Sequence, residues 1–290
     1  MSACIAVQSF AQDTAPPNFT QQQIDWLPVE IYLQNQLRTG NVEAKREALF
    51  QIRNLRCGKA SLLAIPALTD KSEIVRATAA SSVIFLPADE AVGLLLPLLN
   101  DKAEFVRREA AYALGKAGSN TATGTLLLIL QKDKILEVRN ASAAALGEIG
   151  DVGAVPALTA ILNNRPADGD EFLRRSAARS IGQIAQMIQS GKSKVLTPQN
   201  FLPDKFREIE TRKYPDLTGQ FPAFGPATAE LIRVLQSSSE AADTRREAAF
   251  ALGAIGDPSA ISALASNLSG TDPYLSEIAR EALLKFGKTK

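Results

Sequence analysis

The stretch Val106-Arg107-Arg108-Glu109-Ala110-Ala111-Tyr112-Ala113-Leu114-Gly115-Lys116-Ala117-Gly118 decides the fold. Its apolar residues fall at Val106, Ala110, Ala113, Leu114 and Ala117, which is one stripe of an α-helix. The pattern returns from Val138-Arg139 to Ile149-Gly150 and from Thr244-Arg245 to Ile255-Gly256. Weaker copies begin at Ala44, Val75, Leu173 and Leu275. The residues after the seven starts, at 45, 76, 107, 139, 174, 245 and 276, are spaced by 31, 31, 32, 35, 71 and 31. A fixed period is the mark of a repeat architecture.

Each copy is preceded by a second apolar segment: Leu62 to Leu68, Val92 to Leu99, Thr125 to Leu130, Val155 to Leu162, Ala229 to Leu235 and Ile261 to Leu268. Gly150-Asp151 and Gly256-Asp257-Pro258 read as joints, with a glycine past one helix, an Asp N-cap and, in the second, a proline opening the next. An opening helix from Thr20 to Leu37, with a Thr20/Gln23 capping box, completes the first pair. A hairpin of about 31 residues cannot bury its own apolar face, so it stacks on its neighbours. The expectation is an all-α chain: an α-solenoid of about seven two-helix repeats.

Val-Arg-x-x-Ala-x-x-Ala-Leu-Gly-x-Ile-Gly-Asp, followed by an Ala-Val-Pro-Ala-Leu helix, resembles the short HEAT repeats called phycobilisome-lyase HEAT-like. Val138 to Leu158 reads almost as that family's consensus. The resemblance covers roughly residues 20–185 and 226–287 and implies fold more than function. Such repeats occur in bilin lyases, metal-dependent hydroxylases, DNA glycosylases and pure scaffolds. The resemblance also implies a role for Lys45, Arg76, Arg107, Arg139, Arg174 and Arg245, with Asp70, Asp101, Asp133, Asp170 and Asp243 nearby. In that family these side chains form a structural ladder along the inter-helix turns. Gly115, Gly147, Gly182 and Gly253 cost helix stability, about 1 kcal/mol each against Ala, and read as points of close helix approach.

Composition narrows the chemistry. The chain of 290 residues is 46% apolar and 22% charged with a formal net charge of +1, an ordinary globular balance with no general pull toward nucleic acid. It contains no histidine, so a Ser-His-Asp triad, a Cys-His dyad and an imidazole metal site are all excluded. Cys4 and Cys57 lack the spacing of a thiolate site. Gly191-Lys192-Ser193 imitates the end of a phosphate loop, but Gln186 stands where its first glycine belongs. No catalytic residue, cofactor or metal is expected. A glycosylase-like reading would need a strongly basic face, which Glu277 and Glu281 interrupt, so nucleic acid is not the expected partner.

The helix positions opposite the buried stripe line up from repeat to repeat, and in solenoids such a row lines the concave face. They include Arg46/Phe50, Arg108/Tyr112, Arg175/Arg179 and Arg246/Phe250. Arginine with aromatic residues is the composition of interface anchors, which makes Phe50, Arg108, Tyr112, Arg175, Arg179, Arg246 and Phe250 candidates for a partner surface. The 71-residue gap is one repeat plus about forty residues, Gln186 to Gly225, with five of the seventeen aromatics: Phe201, Phe206, Tyr214, Phe221 and Phe224. Disordered segments are poor in aromatics, so an ordered loop over one face of repeats five and six is expected.

The chain thus divides into a tail (1–19), repeats one to five (20–185), the insertion (186–225) and repeats six and seven (226–290). The tail has an apolar run, Ala3 to Val7, with Ser9 and Ala11 fitting a signal-peptidase cut after Ala11. Its first cation is Arg38, so one reading is a signal peptide lacking its basic front; lipidation at Cys4 and a frayed tail are the others. Export is the favoured expectation and a cytoplasmic protein the alternative. No segment approaches the roughly 18 apolar residues of a membrane span. The functional expectation is a non-enzymatic scaffold that holds a protein or peptide through the concave row and the insertion. A lyase-like or chaperone subunit for a cofactor-bearing protein, and a nucleic-acid-binding HEAT protein, are the alternatives.

Overall fold

In the computed structural model, which describes residues 26–167, 169–192, 198–207 and 213–287, the expected repeats are seven helical hairpins, with no strand among the described residues. The tail, its Ala11 cleavage site and the Thr20/Gln23 box lie outside the described residues. The chain divides into two compact units, the first ending at Ala122 and the second beginning at Thr123.

The first unit holds α1 (Trp26–Thr39), α2 (Val42–Asn54), α3 (Gly58–Ala64), α4 (Glu73–Ser82), α5 (Ala88–Leu95) and α6 (Glu104–Ala117). The segments expected as helices at Leu62 to Leu68 and Val92 to Leu99 instead start earlier and end in tight 3-10 turns, Ile65–Thr69 and Leu96–Asn100. Pro66 and Pro97 explain both, because a proline donates no N–H to an α-helical ladder. Asn41 opens α2 by accepting from the Ala44 N–H at 2.9 Å. The core is small and aliphatic: Ala48, Leu49 and Ile52 of α2, Val75, Ala79 and Ala80 of α4, Val106, Ala110 and Leu114 of α6. The buried Ser82 Oγ reaches the Thr78 carbonyl of its own helix at 2.8 Å and the Leu49 carbonyl of α2 at 3.0 Å, which ties α4 to α2.

The second unit holds α7 (Thr123–Lys132), α8 (Leu136–Ile149), α9 (Val155–Asn163), α10 (Glu171–Ser190), α11 (Phe224–Gln236), α12 (Ala242–Ile255), α13 (Ile261–Ala265) and α14 (Pro273–Lys285). Helices α8, α10, α12 and α14 pack side by side. The expected joints are present: Gly150 and Gly256 adopt φ of 81° and 78°, and Asp151 and Asp257 accept from Gly153 and Ser259 N–H groups. Of the four helix glycines expected at close approaches, Gly147, Gly182 and Gly253 lie at such points. A Cβ on Gly182 would lie 2.6 Å from the Phe250 ring, and one on Gly253 2.6 Å from the Ala282 Cβ.

The insertion is shorter than its expected bounds. Helix α10 runs to Ser190, burying Gln186 and Gln189, and Phe224 begins α11. Residues 213–223 form a strap across the C-terminal ends of three helices. Tyr214 N–H donates to the Lys285 carbonyl of α14 at 2.9 Å, and Leu217 N–H to the Ile255 carbonyl of α12 at 3.1 Å. From α10, Gln189 Nε2 donates to the Pro215 carbonyl at 2.7 Å. The last carbonyls of a helix have no partner inside it, and the strap supplies one to two of these ends. Residues 198–207 make two 3-10 turns beside α14. Among the described residues no helix is long and apolar enough to cross a membrane.

Candidate functional site

The repeated cations are structural. In the first unit Lys45 reaches Asp70 at 2.7 Å, and Arg76 holds Asp101 through Nε and Nη2 at 2.7 and 2.8 Å. The second oxygen of each acid accepts a turn N–H, from Ser72 and from Ala103. Each Asp therefore closes its own turn and ties down the cation of the preceding repeat. Hydrogen bonds from Arg76 hold the Asp101 carboxyl below the usual range; at Asp70, burial works the other way, and Lys45 and Ser72 outweigh it.

In the second unit other residues take the acid's place. Arg174, buried, donates to both carboxylate oxygens of Glu240 and to the carbonyls of Ile161, Leu162 and Asn164. Arg245 meets Asn267 at 3.2 Å. Asp243, expected in the ladder, instead pairs with Arg175 at 3.1 Å and Arg246 at 2.7 Å.

Three candidate aromatics prove to be core. Phe250 is buried because its ring fills the space left by Gly182 and lies under the Lys285 ammonium, 5.5 Å from the ring centre. Tyr214 is buried in the strap, where its hydroxyl accepts from Gln186 Nε2 at 2.6 Å and Lys285 covers its ring. Phe224 packs its edge against the half-buried Phe221 and is wholly enclosed. None of the three presents a face to a partner.

In the first unit Phe50 is half-buried beneath Arg46 and Arg53, and Arg108 stacks on Phe105 at 5.0 Å. Tyr112 stays exposed. In the second unit the candidates come together in a continuous string. Arg175 lies over the Phe172 ring at 5.5 Å and bonds Asp243; Asp243 bonds Arg246; Arg246 lies over Tyr274 at 5.1 Å; Tyr274 meets Phe201 edge-on at 4.8 Å. Arg246 also grips Asp272 through two bonds of 3.0 Å, which raises its own pKa. Phe172, Tyr274 and Phe201 are 57%, 47% and 48% exposed. Phe206, stacked by Lys205, is exposed nearby in sequence.

Phe172 and Tyr274 were not singled out from the sequence. The available signal was the Phe-x-x-Arg spacing shared by Phe105/Arg108 and Phe172/Arg175, which puts ring and cation one helical turn apart. Residues 198–207 occupy part of the row on α14: Asn200 donates to Glu277 at 2.8 Å and Gln199 N–H to Glu281. Burial raises the Glu281 carboxyl, and burial likewise raises Glu247 against the pull of Arg179 and Arg175. Among the described residues no group of three or more His, Cys, Asp or Glu side chains is arranged to hold a metal.

Stacked helical hairpins with an exposed arginine and aromatic string define an α-solenoid of the class built from short repeats. The profile of HEAT repeats matches residues 32–115, 61–144 and 95–182, which together span more than half of the sequence. The chain belongs to the HEAT-repeat family. The profile of the PBS lyase HEAT-like repeat matches residues 244–270, over α12 and α13. A solved engineered protein aligns with a TM-score of 0.52 at 20% identity, covering 90% of this chain and 69% of its own. The complex of CpcE and CpcF of phycocyanin lyase from Nostoc sp. PCC7120 aligns with a TM-score of 0.50 at 20% identity, covering 96% and 91%. At such identity the likeness is one of fold. No curated protein matches the sequence.

Proposed function

We propose that the protein is a non-enzymatic scaffold that binds a protein or peptide through the string from Phe172 to Phe201 and the adjoining turns of the insertion. The observation that carries this reading is the exposure of three large aromatic rings in one contact chain with Arg175 and Arg246. Rings of this size left in water favour a partner that covers them, and arginine with aromatic residues is enriched where interfaces bury most energy. The arginines are already positioned by Asp243 and Asp272, so little side-chain order is lost on binding.

The test is a cross-linked pull-down with the full chain beside Phe172→Ser/Tyr274→Ser and Tyr112→Ser variants. A partner recovered by the parent and by Tyr112→Ser, but lost with the double variant, supports the string. Equal recovery by all three moves the interface elsewhere. A second reading, a lyase-like or chaperone subunit for a cofactor-bearing protein, is favoured by the PBS lyase HEAT-like match at residues 244–270. Incubation with a free bilin tests it, since visible absorbance that stays with the protein through gel filtration is its expected outcome.

A further inference from the structure

A second surface feature lies between α8 and α10. Ala144 and Glu148 on one side, and Ser176, Arg179, Ser180 and Gln183 on the other, line a pocket of about 230 Å³. The pocket is open on one side, so a ligand can seat one end there while the rest stays in water. Its floor exists because residue 147 has no side chain: a Cβ there would lie 2.6 Å from Gln183 Oε1 and 2.5 Å from Ser180 Oγ.

The polar groups of this floor are unequally satisfied. Ser180 Oγ donates to the Ala143 carbonyl at 2.8 Å and is held. Gln183 is only 5% exposed, yet its amide makes no hydrogen bond among the described residues. One helical turn away, the nearest acid to Arg179 is Glu247 at 3.7 Å, beyond hydrogen-bond reach. The Gln183 side chain lines the pocket and its amide atoms reach the pocket's solvent, so they stand open to an occupant. Beside Gln183 stands the Arg179 guanidinium, 41% exposed, which makes no hydrogen bond among the described residues.

We infer that this pocket binds the carboxylate of a small organic acid or of a peptide chain end, held by Arg179 and by the Gln183 amide N–H. The guanidinium fork matches a carboxylate in shape and charge. Glu148 on the facing wall and Glu247 behind Arg179 limit the positive charge, which disfavours a phosphate dianion. The assignment is independent of the scaffold reading, because a small acid fills the pocket with no protein bound.

The experiment follows the glutamine side-chain amide signals of the full-length ¹⁵N-labelled protein. The Gln183 pair is identified by its disappearance in Gln183→Leu. The probes are N-acetylalanine, its amide, and an alanine tetrapeptide with a free or an amidated C-terminus. The expected result is a shift with the free acids and none with the amides, weakened about tenfold or more by Arg179→Met. A peptide that binds tighter than N-acetylalanine identifies a chain end as the source; equal binding identifies a small acid. Equal shifts from acids and amides, an Arg179→Met protein that binds as the parent does, or no shift at millimolar probe would each overturn the assignment. Thermal unfolding of both variants checks that they are folded.

Discussion

Arg174 places all five of its guanidinium N–H donors on protein acceptors, two on Glu240 and three on carbonyls around the end of α9. Removing it strands the buried Glu240 carboxylate and frees the end of α9, so Arg174→Met should cost about 3–5 kcal/mol in urea unfolding. Adding Glu240→Leu should recover part of that loss, because the stranded charge goes with it. The half-buried Arg175, one residue on, pairs only with the exposed Asp243 and should give less than about 1 kcal/mol as Arg175→Ala.

Asp101 gives a prediction with a pH sign. Its folded-state pKa is lowered, first by the hydrogen bond from Arg76, so its stabilisation is complete above the unfolded value of about 4. It disappears as pH falls through the folded value. Asp101→Asn should therefore be about 2 kcal/mol less stable than the parent near neutrality, and the two should converge in acid. A gap that is constant with pH would place the loss in packing and not in the ion pair.

At the scale of elements, what was legible in the sequence was what depends on local order. The 3.6-residue stripe of α6 and the Gly-Asp joints at 150–151 and 256–257 involve partners a few residues away, and they lie where the pattern puts them. Pro66 and Pro97 also carried a readable signal, since each tightens its own helix into a 3-10 turn. Phe250 was misread because its burial is decided by Gly182 on one neighbouring helix and Lys285 on another. Helical phase cannot report that. The strap was beyond reach for the same reason: Tyr214 finds Gln186 and Lys285, and no sequence period links these positions.

The strap makes its own prediction. Tyr214→Ala/Leu217→Ala removes the two buried side chains that seat it, leaving Gln186 and Lys285 without their ring and hydroxyl partners. Hydrogen exchange should quicken by tenfold or more at the C-terminal turns of α12 and α14, about 1.4 kcal/mol of local protection. Exchange in α8 should hardly change. Uniform loss across the unit would mean that the strap supports the whole hairpin stack.

At the scale of the molecule, a repeat protein is nearly one-dimensional: each hairpin touches its neighbours, and stability adds along the row. The first unit follows that rule through rungs such as Lys45–Asp70 and Arg76–Asp101, each reaching one repeat ahead. The second unit departs from it, because a hydrogen bond joins Gln186 to Lys285, 99 residues apart. Such families change length by duplicating or losing whole hairpins. In the first unit an added copy needs only another rung. In the second, an extra hairpin between α10 and α14 would move the strap's anchors apart while its length stayed the same. The strap thus acts as a ruler that fixes the copy number of the hairpins it spans, and length variation in relatives should fall before Thr123.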